Sequence, residues 1–437
     1  MLKLQQTGNN RGCVKASFFI HILYSRCVCE VAHQMKCKVY EEMEELKMKG
    51  LLIGIGAAGN KAAINAVERG AISIDDVMLI NSTLADIPAK YKENAFILGV
   101  NTGGGCGKER TRSKDAILED LKMGRIPVKA KVESAKETYS YIAIVSSTEG
   151  GTGSGASTML AFYAQSVIKL PVHLFGFIGF GSDPRGLQNT MEYFEDLQKG
   201  VIMHLIRNDR FLQEARSRMK AEVAANDEFV NELEVLMGRP IVESTQNIDP
   251  RDLYKVVNTP GYEVVEYLEL DSKIRNKQDF EDILTRMCDE SHSMESSPSM
   301  LRLAVIINVA ENSQMYCEDY SILKERYGNC FEVYEHRQSE MADGEFIAFI
   351  ASGMKMPMDE VKAIYSSYSA ESDAVDKSED DFFAQVKAMK GNPQDSMFTM
   401  DTEEVNSGSE DDFFAKFEQR GDDPKVEVPA VDPIKEY

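Results

Sequence analysis

This sequence predicts an α/β fold built on a parallel sheet, and three observations carry the prediction. From Gly50 to about residue 210, apolar strand-like runs alternate with helical segments, the pattern of a parallel sheet covered on both faces. Glycines crowd the ends of those runs rather than their middles. The chain has 437 residues, 43% of them hydrophobic, enough to build cores for two or three domains. The expected organisation is an N-terminal extension at 1–47, a Rossmann-like domain at 48–210 and a long central helix with its following loop at 211–254. A smaller α/β domain at 255–368 and an acidic tail at 369–437 complete it.

Taken in order, residues 1–39 carry six basic residues, one acid and a short apolar run "ASFFIHIL". They read as an extension upstream of a natural start at Met35 or Met43, with "YEEMEELKM" a helix leading into the domain. "CVC" with His21, His33 and Cys37 has no standard zinc spacing. The cysteines form no disulfide framework, which fits a reducing cytoplasm. "LLIGIG" reads as a buried strand and "NKAAINAVERG" as a helix ended by Gly70. "DVMLINS" and "AFILGV" are strands and "KDAILEDLKMG" is a helix. "YSYIAIV" is a buried strand, "STMLAFYAQSVI" a helix, "VHLFGFIGF" a strand and "LQNTMEYFEDLQKGV" a helix. A long helix is expected from about Phe211 to Met237. "YEVVEYLEL", "MLRLAVIINVA", "CFEVYEHRQ" and "GEFIAFIASG" are the strands of the second domain. No run of about 18 apolar residues is present, so no transmembrane helix is expected.

Net charge is −22, which argues against nucleic-acid binding by bulk electrostatics. From Ser369 to Tyr437 there are 19 acids against 7 bases, and that composition predicts disorder. The string "SEDDFFA" occurs there twice, at Ser378–Ala384 and Ser409–Ala415. A phenylalanine pair behind an acidic run suits a recognition motif, with the apolar pair anchoring and the acids steering.

The glycine clusters carry the chemistry. "GIGAAGN" supplies Gly54, Gly56, Gly59 and Asn60, "NTGGGCGKER" supplies Gly103, Gly104 and Gly105, and "EGGTGSG" supplies Gly150, Gly151, Thr152, Gly153, Ser154 and Gly155. Glycine lets backbone N–H groups approach a ligand, and a helix beginning at such a corner adds the positive end of its dipole. Three such corners on one sheet edge suggest a triphosphate surrounded by amides. The first cluster alone also suits a dinucleotide enzyme, but the second strand ends in Asn81-Ser82-Thr83, without the acid that would hold a ribose.

At this point the sequence resembles the tubulin/FtsZ family, whose signature loop GGGTGTG or GGGTGSG is matched by "EGGTGSG" with Glu149 in the first glycine's place. "NST" at Asn81 resembles its second nucleotide loop. "IRND" and "AANDEFV" resemble its guanine-reading strings and implicate Asn208 and Asn226; Glu222 stands where an aromatic often stacks on the base. "GSDPRG" resembles its sugar and α-phosphate loop, with Asp183 and Arg185. "NIDPRDL" resembles its synergy loop, with Asn247, Asp249 and Asp252. "DLYKVVNTPGYEVVEYLEL" and "FIAFIASGMKMPMDEVKAIY" resemble segments of the phage- and plasmid-encoded bacterial tubulins of the TubZ and PhuZ type.

The resemblance covers roughly residues 48–368. It implies a GTPase using GTP and Mg²⁺ that polymerises head to tail, the two acids acting on the next subunit's nucleotide. It further implies a role in positioning or segregating phage or plasmid DNA in a bacterial or phage-infected cytoplasm. Self-assembly, a neighbouring subunit and a DNA-bound adaptor engaged by the acidic tail are the expected partners, with no direct contact to nucleic acid or membrane. The alternatives are an FtsZ-like division-ring protein, an NAD- or FAD-dependent oxidoreductase on the same kind of sheet, and a non-catalytic nucleotide-binding scaffold.

Overall fold

The structure is a computed structural model that describes residues 48–99, 104–135, 139–181, 183–237, 248–271, 273–309, 319–338, 345–364 and 409–418. The expected N-terminal helix, Gly103, Asn247 and the first "SEDDFFA" lie outside the described residues. The described residues belong to one compact unit.

Its frame is a ten-stranded sheet in the order β3-β2-β1-β4-β5-β6-β7-β10-β8-β9. The first six strands are β1 (Gly50–Ile55), β2 (Val77–Asn81), β3 (Ala95–Ile97), β4 (Tyr141–Ser147), β5 (Val172–Ile178) and β6 (Ile202–Arg207). All their pairings are parallel, in the doubly wound order that places a ligand crevice where the winding reverses, between β1 and β4. β7 (Gly261–Glu269), β8 (Arg302–Asn308), β9 (Glu332–Gln338) and β10 (Phe346–Met354) continue the sheet. β10 runs antiparallel to both β7 and β8.

Strand side chains alternate between the faces, as a pleated ribbon requires. Leu51, Ile53 and Ile55 enter one core and Leu52 the other. The first core is covered by α2 (Arg110–Lys122), α4 (Gly151–Tyr163), α5 (Pro184–Glu195) and α9 (Lys277–Asp289). The second is covered by α1 (Gly56–Glu68), α7 (Arg218–Leu236) and α8 (Pro250–Val257). Shorter helices are α3 (Val128–Glu133), α6 (Asn208–Ala215) and α10 (Ser321–Tyr327).

The structure departs from the sequence reading in four places. β6 was not anticipated, because "IMHLIR" is short and carries His204 within an apolar run. The long helix from Phe211 is two helices: Arg216 takes a left-handed φ of 55° and the Ser217 hydroxyl caps α7 by accepting from the Lys220 N–H. α4 begins at Gly151, so its glycines lie in its own first turns. The C-terminal strands β7, β10, β8 and β9 lie together as expected and continue the sheet through two β6–β7 pairs, Ile202–Gly261 and Met203–Tyr262. Within the acidic tail, α11 (Glu410–Glu418) is an ordered helix with Phe413 and Phe414 in the first core. Its sequence brings its own start signal and apolar anchor, which average composition hides.

Candidate nucleotide site

Five segments far apart in sequence meet at the carboxyl ends of β1, β2, β4 and β5. Gly56 turns the chain out of β1 with φ of 75°, a conformation that favours glycine, and its missing Cβ faces the Gly153 backbone nitrogen at 3.2 Å. A Cβ at Gly59 would lie 2.1 Å from the Val145 carbonyl oxygen, so only glycine lets α1 pack this closely on β4. The Ser82 and Thr152 hydroxyls lie 3.2 Å apart, joining the end of β2 to the start of α4. The loop before α2 backs α4: the Lys108 backbone abuts Gly151, and the Ser113 hydroxyl donates to the Gly151 carbonyl at 2.7 Å.

The fifth segment is the turn after β5. Asp183 forms an ion pair with Lys108. Arg185 donates to the Lys108 carbonyl at 3.4 Å and to Gln188 at 3.0 Å. Asn189 donates to the carbonyls of Lys108 at 3.1 Å and Glu149 at 2.9 Å.

Glu149, the departure from the signature loop, turns toward the β5 turn. Its carboxylate lies against Gly179, where a Cβ would fall 2.0 Å from Oε2. Burial pushes its carboxyl above the usual range, and the backbone N–H groups of Gly181 and Gly179 oppose that rise only in part. The side chain braces the β5 turn.

Several buried polar atoms at these loops have no partner in the protein. Among them are Asn60 Oδ1, Asn81 Nδ2, Glu149 Oε1, Asn189 Oδ1 and Asn208 Oδ1. On the other halves of the amides, Asn60 Nδ2 donates to the Ile80 carbonyl at 3.3 Å, and Asn81 Oδ1 accepts from the Ser82 N–H at 2.9 Å. Buried polar groups are rarely left unpaired, so an edge with several is built for a polar ligand. The first turn of α4, with its free N–H groups and positive dipole end, suits an anion in the same place. Gly54, Gly104, Gly105, Gly150, Ser154 and Gly155 belong to the same loops; the Ser154 hydroxyl turns inward to the Gly150 carbonyl and to Arg110 Nε at 3.2 Å.

Sequence reasoning missed the brace behind the loops. The Arg110 guanidinium, 2% exposed, bonds the Ser154 carbonyl at 3.1 Å and Asp196 at 2.5 Å. The string "GKER" that ends the second glycine cluster was the signal for it.

Asn208 opens α6 at the end of β6, and Asn226 lies half-buried on α7, beside Asp227, which accepts from Asn65 of α1 at 2.9 Å. Asp249 and Asp252 are not brought to the glycine loops. Asp249 caps α8 by accepting from the Arg251 N–H at 2.7 Å, Asp252 sits in its first turn, and α8 packs on β8 and β10.

Among the described residues, one group of possible metal ligands is found: His173, His204 and Glu263, with ligand atoms within 4.8 Å of one another. It is buried in the first halves of β5 and β6 and the start of β7, away from the glycine loops.

No family model matches the sequence. The tubulin-like protein CetZ1 of Haloferax volcanii is 27% identical over 228 residues, spanning 48% of this chain and 56% of that protein. The chain thus spans a little over half the length of this curated relative. Among solved structures, the GTPγS-bound protofilament of Haloferax volcanii CetZ2 superposes with a TM-score of 0.60 at 16% identity, covering 75% of this chain and 100% of that one. TubZ of the Clostridium botulinum phage c-st gives 0.57 at 16% identity, covering 74% and 99%. With the glycine loops in order along one sheet edge and the fold shared along nearly the full length of these neighbours, the chain has the tubulin/FtsZ fold and is similar in sequence to CetZ1.

Proposed function

We propose that this chain is a GTPase that assembles head to tail into filaments. GTP sits on the glycine loops of one subunit, and Asp249 and Asp252 of the next complete the hydrolytic site. The observation that carries the reading is the convergence of five separate segments around one sheet edge while Asn60, Asn81 and Asn208 keep buried polar atoms unpaired. The α4 N-terminus and surrounding amides suit the phosphates, and Asn208 and Asn226 suit guanine, whose carbonyl and ring edge match an amide. Mg²⁺ would be held mainly by the phosphates, as is usual for this ion.

Within a single chain, α8 packs on the C-terminal strands, so acids acting on a nucleotide must reach one on another subunit. Two carboxylates on one short helix start can orient and polarise a water for attack on a γ-phosphate. Supporting this, the CetZ2 neighbour is a GTPγS-bound protofilament. The positioning or segregation of phage or plasmid DNA in a bacterial cytoplasm, with the tail engaging a neighbouring subunit or a DNA-bound adaptor, is the finer role we assign. It rests on the likeness of "VVNTPG" and "MKMPMDEVKAIY" to the TubZ type.

Phosphate release measured against protein concentration tests the reading. Turnover per chain should rise steeply where filaments appear by pelleting and electron microscopy. GTP should be preferred over ATP by at least about tenfold, because a buried polar group left unpaired costs about 1–3 kcal/mol. Asp252→Ala should bind GTP and assemble, yet hydrolyse about 10²–10⁴ times more slowly. Wild-type turnover in Asp249→Ala and Asp252→Ala polymers would refute the assignment of these acids, and tight NAD binding would favour the oxidoreductase.

A further inference from the structure

The acidic tail returns to the body of the molecule through α11. Ser409 and Asp412 form a reciprocal cap: Ser409 Oγ accepts from the Asp412 N–H at 3.3 Å, and Asp412 Oδ2 accepts from the Ser409 N–H at 2.8 Å. This is the capping-box arrangement, so the string "SEDD" starts a helix unaided. Glu410 then meets a built pocket. Its carboxylate pairs with Lys129 Nζ of α3 at 2.5 Å and accepts from the Tyr163 hydroxyl of α4 at 2.6 Å. Burial alone would raise its pKa, but Lys129 and Tyr163 outweigh that and hold it below the usual range. One turn on, Phe413 is 4% exposed and Phe414 8%. The Phe413 ring centroid lies 5.1 Å from that of Phe162 and 5.5 Å from that of Tyr163, and Phe414 lies 6.0 Å from Tyr163. The Phe413–Tyr163 contact is edge-on and the other two are tilted, and aromatic pairs at such spacings add to the burial itself.

Every residue just named on α11 has an identical counterpart in the first copy of the string. Ser378, Glu379, Asp381, Phe382 and Phe383 stand for Ser409, Glu410, Asp412, Phe413 and Phe414. The copies diverge only beyond the shared alanine, where Phe417, which packs on Phe162 at 6.4 Å, is matched by Val386. The first copy therefore retains the cap, the charge and the phenylalanine pair, and loses one ring. Each chain holds one groove of Lys129, Phe162 and Tyr163 and two ligands for it. The copies are separated by the 24 residues 385–408, and a chain of that length spans on the order of 27 Å as a random coil, roughly the width of a small domain.

We propose that the α3–α4 groove is an exchangeable binding site for an acidic, diphenylalanine helix. The second "SEDDFFA" fills it within the chain, and Ser378–Ala384 fills the same groove on a second copy of this chain. Such exchange of an identical element between protomers links chains without any new surface. In a polymer it would tie neighbours by their tails at the high effective concentration that tethering provides. Binding needs neither nucleotide nor longitudinal assembly, so its failure and that of the GTPase reading are distinct.

The test uses full-length chains in GDP. A receptor chain carries Phe382, Phe383, Phe413 and Phe414 all changed to Ala, which leaves the groove intact and without a ligand of its own. Fluorescent peptides of residues 376–388 and 407–420 should both bind it, the second severalfold more tightly. Lys129→Glu in the receptor should weaken both at least tenfold, and salt should weaken both because exposed charge is screened. The wild-type chain should bind either peptide far less well, its own copy competing. Mixed with the receptor, the wild-type chain should form a heterodimer by sedimentation that is lost on Phe382→Ala with Phe383→Ala. Binding of the second peptide alone, binding of neither, no heterodimer, or a heterodimer indifferent to Phe382 and Phe383 would each overturn the proposal.

Discussion

At Gly59 one added methyl would sit 2.1 Å from a backbone oxygen that cannot move without disturbing β4. At Gly70, with φ of 77°, nothing lies within 4 Å of the same methyl. The two glycines separate two physical requirements. Gly59→Ala forces α1 off the sheet, an overpacking cost of about 3 kcal/mol, and should also weaken nucleotide binding, because α1 carries Asn60. Gly70→Ala meets only the left-handed backbone penalty, about 1–2 kcal/mol, and should leave nucleotide affinity unchanged. Thermal melts with and without GTP check both. Equal losses of affinity would mean that close packing of α1 on β4 does not shape the site.

At the scale of elements, the junction of β5, β6 and β7 beneath α7 buries His173, His204, Glu232, Glu263 and Glu266. Burial pushes the carboxyls of Glu232, Glu263 and Glu266 well above their ordinary 4.5, holding them protonated. It pushes His173 down to about 4 from 6.5 and His204 well below 6.5, holding both neutral. The signs oppose each other. For the glutamates, the folded form keeps protons that the unfolded chain releases above about 4.5, so their contribution is full at low pH and falls as pH rises, by at most about 1.4 kcal/mol per unit per group. For the histidines, the unfolded chain takes protons below 6.5 that the folded form refuses, so stability falls from there toward pH 4. Glu263→Gln keeps the shape and removes the titration. It should raise the midpoint of thermal unfolding relative to wild type, by more at pH 8 than at pH 5. A pH-independent difference would show that Glu263 titrates normally in the fold.

For the whole molecule, the continuous sheet makes a prediction that separate domains would not. β6 and β7 join directly, and Arg207 of β6 and Arg210 of α6 both pair with Glu360 of the helical turn at 358–364 after β10, the second pair at 3.7 Å. Unfolding should therefore appear as one transition in far-ultraviolet circular dichroism and tyrosine fluorescence, the chain having no tryptophan. Two resolved transitions would show that the β6–β7 junction does not transmit cooperativity.

The sequence by itself determined the parallel sheet and the order of its glycine loops. Strand periodicity and glycine placement are local properties, and the strand-end position of each loop follows from them. It also determined the repeated string in the tail, since identity between two segments needs no structure to be seen. Tertiary structure alone decided how these parts meet. That Gly59 is needed for packing against Val145, that Glu149 turns to Gly179, and that Arg110 braces Ser154 are contacts between segments tens of residues apart. Local pattern cannot carry such distances. The break at Arg216 was hidden because helix propensity runs through it and only the φ reversal with the Ser217 cap shows it. The fate of the second "SEDDFFA" was hidden for the opposite reason. An acidic, polar tail lacks the apolar content to fold alone, and α11 is ordered because Lys129, Phe162 and Tyr163 supply from the body of the protein the charge and the apolar surface that the tail lacks.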